Sequence, residues 1–157
     1  MDQIQRIYAA LTGAIFAPLF EALYGDGNTV RAIVSALVFF IAMDWLSGTR
    51  ASKKDHTYAS KYGIDGIFRT FFILLLPAGG HLLDAAAGLP GIIFGLLSFG
   101  VLYHVIQSMT ANVIRAGWCE WVPINILTKI TEWVGSEIDS KISRAERRRE
   151  ERGMNND

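Results

Sequence analysis

Apolar residues fill four long stretches of the chain, and polar residues occupy what lies between them. Residues 67–87 and 89–106 are separated by Gly88 alone. Residues 30–46 form a third run, and residues 7–24, broken by Pro18 and Glu21, a fourth. A helix that crosses the hydrocarbon layer needs about 20 mostly apolar residues. The pattern therefore predicts an all-α, polytopic membrane protein with about four transmembrane helices. Pro18 and Glu21 leave open a version in which the first run does not cross fully, although proline is tolerated in membrane helices whose neighbours satisfy the freed carbonyl. Further on, Pro123 fits the first turn of a helix. Ile126, Ile130, Trp133, Val134 and Ile138 then recur at helical spacing, with Lys129, Glu132 and Glu137 elsewhere on the wheel. That is the signature of an amphipathic helix. The expected organisation is a transmembrane helical domain at residues 1–115 and a cytoplasmic amphipathic helix with a charged tail at 116–157.

Charge changes the picture by giving it a direction. Arg50, Lys53, Lys54 and Lys61 crowd the loop between the second and third runs, with Arg69 just inside the next. Short basic loops stay in the cytoplasm. Arg115, Lys129 and the tail residues Arg144, Arg147, Arg148, Arg149 and Arg152 belong on the same side. The turns at 25–28 and 88–90 carry no basic residue, as outside turns should. Both termini are thus expected on the cytoplasmic side of the cytoplasmic membrane. The chain starts Met-Asp-Gln with no strong basic segment before its first apolar run, so that run is not expected to be removed as a leader.

Composition adds mainly exclusions. A chain of 157 residues devoted to four spans leaves no room for a soluble catalytic domain. None of the common nucleophile, metal-protease or phosphate-binding motifs is present. The expectation is a protein that is not an enzyme, with no cofactor and no metal. Cys119 is the single cysteine, which rules out a disulfide within the chain. Arginines in the tail alternate with glutamates, which weakens any case for nucleic acid and leaves anionic membrane lipids as the natural partner.

Small and polar residues inside the runs are the candidate assembly or pore positions. Gly91, Gly95 and Ser98 share one face of the fourth helix, and Ala9, Gly13 and Ala17 form a similar stripe on the first. Such stripes let helices approach closely, either within one chain or between copies. The pair Gly79 and Gly80 after Pro77 is expected to loosen the middle of the third helix. Ionisable residues in a membrane helix usually face a partner or water. Arg31, Asp44, Arg69, His81, Asp84 and His104 are such residues. Asp44 and Arg69 lie near the cytoplasmic boundary on consecutive helices and either pair with each other or reach the headgroups separately. His81 and Asp84 are one turn apart. Two ligands without a third make a poor metal site, so they are read as lining an interhelical or pore surface or reaching the outer headgroups. His104, Gln107, Ser108, Ala111, Asn112 and Arg115 form a continuous polar or small stripe that lines water in an oligomer or docks against the chain's own helices.

Several of these residues fall into an ordered series. Asp44-Trp45-Leu46-Ser47-Gly48 closes one span. Ser60-Lys61-Tyr62-Gly63-Ile64-Asp65-Gly66-Ile67-Phe68-Arg69 opens the next, and His81-Leu82-Leu83-Asp84 follows in it. Ser108, Asn112, Gly117, Val122-Pro123 and Leu127 complete the series. It resembles the phage holins of the toxin-secretion and lysis type, the family that includes the clostridial toxin-release holin. The likeness covers residues 36–130, most of the chain. Members often carry acidic residues beside the Ser and Asn of the last span, where this chain has Val105 and Ala111. The resemblance implies a lysis protein that accumulates in the bacterial cytoplasmic membrane as a homo-oligomer. It would then open timed lesions through which an endolysin, or a leaderless toxin, crosses without being bound directly. Taken alone, the residues reach only a small oligomeric membrane protein. They leave open a small channel or transporter and a scaffold whose tail recruits a cytoplasmic partner.

Overall fold

A computed structural model shows an all-helical chain. It describes the backbone of residues 2–57 and 60–154, and the side chains of 3, 13–57, 64–144, 146 and 147. The side chains of Ala9, Lys61, Arg148, Arg149 and Arg152 lie outside the described residues. The helices are α1 (Asp2–Tyr24), α2 (Asn28–Lys54), α3 (Ser60–Ala87), α4 (Ile92–Ala116) and α5 (Ile124–Met154). Asn28–Lys54, Ile64–Ala87 and Ile92–Ala116 are long and apolar enough to cross a membrane, and Gly13–Tyr24 is a shorter apolar stretch.

Three helix ends close in the same way. After α3, the Leu89 and Gly88 amides donate to the Asp84 and Ala85 carbonyls at 2.8 and 3.4 Å. After α4, the Trp118 and Gly117 amides donate to Val113 and Ile114 at 3.1 and 3.0 Å. After α2, the Thr57 and His56 amides donate to Ser52 and Lys53 at 2.9 and 3.4 Å. Each closure turns the chain through one left-handed residue, at φ of 64° in Gly88, 79° in Gly117 and 56° in His56. The bonds consume carbonyls that an apolar medium would leave unsatisfied.

At the centre stands α4. Its Val101 and Val105 pack with Leu37 and Ile41 of α2, and Ile73, Leu74 and Leu76 of α3 close over that cluster. A second cluster joins Ile106, Met109 and Val113 of α4 to Val134 of α5. Near the turn between them, α3 and α4 touch backbone to backbone. A Cβ on Gly80 would stand 2.9 Å from the Phe94 Cα and amide nitrogen. The helix α3 runs on through Pro77 to Ala87, and Gly80, in the stretch expected to be loose, is where it comes against the α4 backbone. Outward, α3 presents Phe68, Phe71, Phe72 and Leu75, a face suited to lipid.

Helix α5 lies against α4. Folding back antiparallel along α4, it brings Gly135 against the Tyr103 ring and Lys141 against Gly95 and Phe99. Residues 1–115 and 116–157 therefore share a core cluster in the folded chain.

Candidate functional site

At the end of the bundle where α2 runs out, charged and polar residues from three helices form one connected chain of contacts. The Asp44 carboxylate on α2 is nearly buried, at 5% exposure. Its Oδ2 accepts from the Arg69 guanidinium of α3 at 3.2 Å, and its Oδ1 from the Asn112 amide of α4 at 2.9 Å. The Asn112 carbonyl in turn accepts from Arg115 at 3.1 Å, and Arg115 grips Asp55, just past α2, at 2.8 and 3.1 Å. Opposite charges alternate along this path, so Asp44 is compensated although it has left water. Asp44 and Arg69 do pair across consecutive helices.

Neighbouring residues make the approach possible. Gly48, one turn beyond Asp44, lets Asn112 come in: a Cβ there would lie 3.1 Å from the Asn112 amide nitrogen. The Trp45 indole N–H donates to the Thr70 hydroxyl at 2.9 Å, and the same ring lies over Gly66. Ser47 is buried and donates to the Asp44 carbonyl at 3.1 Å. The sequence pointed to Asp44, Arg69, Asn112 and Arg115. It did not single out Thr70, Gly48, Gly66 or Asp55 for these contacts; the spacing of Gly48 one turn from Asp44 was the available clue.

A double-mutant cycle reads the strength of the central contact. Asp44→Ala should weaken the bundle by about 2 kcal/mol, because Arg69 and Asn112 lose a common acceptor. Arg69→Ala should cost less, since Arg69 is half exposed. The double variant should be no worse than Asp44→Ala when unfolding in detergent is followed by tryptophan fluorescence. Additive losses would mean the two residues act independently.

The remaining candidates fall into different settings. Ser108 and His104 border a narrow cleft with Arg69 and Thr70 beside Asp44. Gln107, exposed, donates to the Tyr103 hydroxyl at 2.8 Å on the side of α4 that adjoins α5. His81 and Asp84 are engaged separately. The His81 ring lies against Gly25 at the turn between α1 and α2. Asp84 is buried, and its carboxylate accepts from the Ile93 and Phe94 amides at 3.0 and 2.8 Å, which caps α4. Gly91 precedes α4 with open space around it, Gly95 is covered by Lys141, and buried Ser98 donates to the Phe94 carbonyl at 2.6 Å. Arg31 pairs with Glu21 at 3.3 Å, tying α2 to α1. Among the described residues, no group of acidic, histidine and cysteine side chains gathers as metal ligands.

These contacts hold the helices of the bundle to one another. A family model, that of the bacteriophage holin family, matches residues 22–135, which run from the end of α1 into α5. The chain is also similar to an uncharacterized protein of Listeria monocytogenes. The two are 32% identical over 102 residues, covering 65% of this chain and 71% of that protein. An uncharacterized protein of Listeria innocua matches with the same identity and coverage. No solved structure matches the chain.

Proposed function

The chain belongs to the bacteriophage holin family, and from that membership we propose that its copies gather in the bacterial cytoplasmic membrane and open timed lesions. A multi-pass, holin-like membrane protein is the common ground. The proposal adds the event itself: assembly at a set time, then passage of an endolysin or a leaderless toxin that this protein need not bind. It acts without catalysis. One observation carries the reading. The residues matched by the family model are those that fold into α2, α3 and α4, joined at one end by Asp44, Arg69, Asn112 and Arg115.

Topology follows from charge. With α1 counted as a fourth span, both termini and the loop after α2 lie in the cytoplasm, held by Arg50, Lys53, Lys54 and Arg115. The small-residue stripe of α1, at Gly13 and Ala17, borders an open groove shared with α2 and is a surface available to a second copy.

Induced expression in a bacterium, with and without a cytoplasmic muralytic enzyme, tests the proposal. Membrane potential should collapse abruptly after a delay, and rapid lysis should follow only where the enzyme is present. Selective solute flux in growing cells would replace the lesion reading with a transporter. Unchanged potential, with a partner lost on deleting residues 133–157, would replace it with a scaffold.

A further inference from the structure

Helix α5 carries a polar face, and it packs along α4, a helix long and apolar enough to cross a membrane. From Ile124 to Lys141 it runs about 26 Å beside α4, close to the thickness of the hydrocarbon layer. Its inner side, Leu127, Ile130, Val134 and Ile138, packs in the cluster centred on Ile106 and Met109. The outer side consists of Lys129, Glu132, Ser136, Asp139, Ser140 and Ser143, all exposed. Exposed Trp133 and Ile126 stand at one edge of that face and Ile142 at the other.

The contacts at the far end of the helix show that this is a fitted arrangement. The Lys141 stem crosses Gly95 near the start of α4, and its ammonium sits 5.4 Å from the Phe99 ring centroid. Glu137 lies 3.8 Å from the same ammonium. A side chain at Gly95 would press on that stem. The polar surface also continues beyond α5. His104 and Gln107 of α4 are exposed, and Gln107 reaches α5 through Tyr103 and Gly135. One side of the bundle is therefore apolar, along α3, and another is polar, along α5 and the adjoining stripe of α4. Charged side chains facing acyl chains are strongly disfavoured, whereas a water-filled cavity accommodates them. Lipid on one side and water on the other is the environment of a subunit in the wall of an aqueous opening.

We propose that docked α5 is the water-facing helix of the assembled lesion, with Lys129, Glu132 and Asp139 turned to a lumen shared with further copies of this chain. Before assembly, α5 rests in the cytoplasmic headgroup layer, where its amphipathic pattern is at home. Docking places Lys141 beside Gly95, at the end of the bundle that holds the 88–91 turn, so the chain beyond it passes through the opening to the outer side as water is enclosed. This rests on the lesion reading above.

The full-length chain, with Cys119→Ser to remove its own thiol, is expressed as the Gly95→Cys, Lys141→Cys double variant. A short membrane-permeant thiol-to-thiol cross-linker is applied before and after depolarisation. Cross-linked monomer should rise sharply with depolarisation, and cells cross-linked after it should remain permeable to a small dye. Absent cross-linking after depolarisation, or a full yield long before it, overturns the proposal. A second variant tests the lumen face. Lys129→Leu, Glu132→Leu and Asp139→Leu together should preserve insertion yet reduce dye release by at least about tenfold, because an apolar face no longer stabilises water at that depth. Undiminished release overturns the assignment. Failure of the lesion reading is seen separately, as a wild-type chain that inserts without changing the membrane potential.

Discussion

Asp84→Ala should cost the bundle about 3 kcal/mol, the largest loss expected from any single side-chain truncation in it. The carboxylate is 2% exposed and accepts from two α4 amides, those of Ile93 and Phe94. Alanine leaves both donors without that acceptor at a helix start, where the amides already carry partial positive charge. Asp84 has a second connection through its main chain. Its carbonyl accepts from Leu89 at 2.8 Å in the closure of α3, so one residue ends a helix and begins the next. Asp84→Asn keeps one acceptor oxygen and should fall between wild type and alanine. Unfolding in mixed micelles, followed by tryptophan fluorescence, reads the order. Equal stability of all three would show that the α3–α4 turn holds without its cap.

Gly80→Leu should be as damaging for a steric reason. The added Cβ would meet Phe94 Cα and nitrogen at 2.9 Å and the Ile93 carbonyl oxygen at 3.0 Å. These are backbone atoms, so relief requires moving one helix away from the other rather than turning a side chain. Overpacking of this kind costs about 3 kcal/mol, and the amount of folded protein recovered from membranes should drop accordingly. Gly79→Ala is the control, because a Cβ at Gly79 has nothing within 4 Å. Replacing that helical glycine should be neutral or favourable by up to about 1 kcal/mol. Similar losses at both positions would point to general glycine flexibility instead of close approach.

Much of this architecture was legible because lipid imposes a simple rule on sequence. The runs at 30–46, 67–87 and 89–106 became α2, α3 and α4, each extended past its apolar part into charged or polar ends. Asp44 and Arg69 were legible as candidates for pairing, since two opposite charges stand at one boundary, but sequence left separate headgroup contacts equally open. Asp84 was harder. Beside His81 it suggested a shared surface, yet its partners are main-chain amides, which no side-chain pattern announces. Gly80 was read as a source of looseness for the same reason: helical glycine gives the same signal whether the neighbouring space is empty or filled by another backbone. The position of α5 was least legible. Periodicity identifies its apolar side, but lipid surface and the Ile106 cluster are equally apolar occupants of that side.

The Asp84 link also bears on how the protein is made. Residues 88–91 contain no charge, and the two helices they join already share a cap and a backbone crossing. Such a pair can enter the bilayer as one hairpin, with Asp84 bonded during passage instead of stripped bare. Its tip is the apolar Leu89-Pro90, so no charged residue of the turn opposes insertion. Under the lesion reading proposed above, biogenesis would then be separate from action, and the timing of activity would operate on chains already in place.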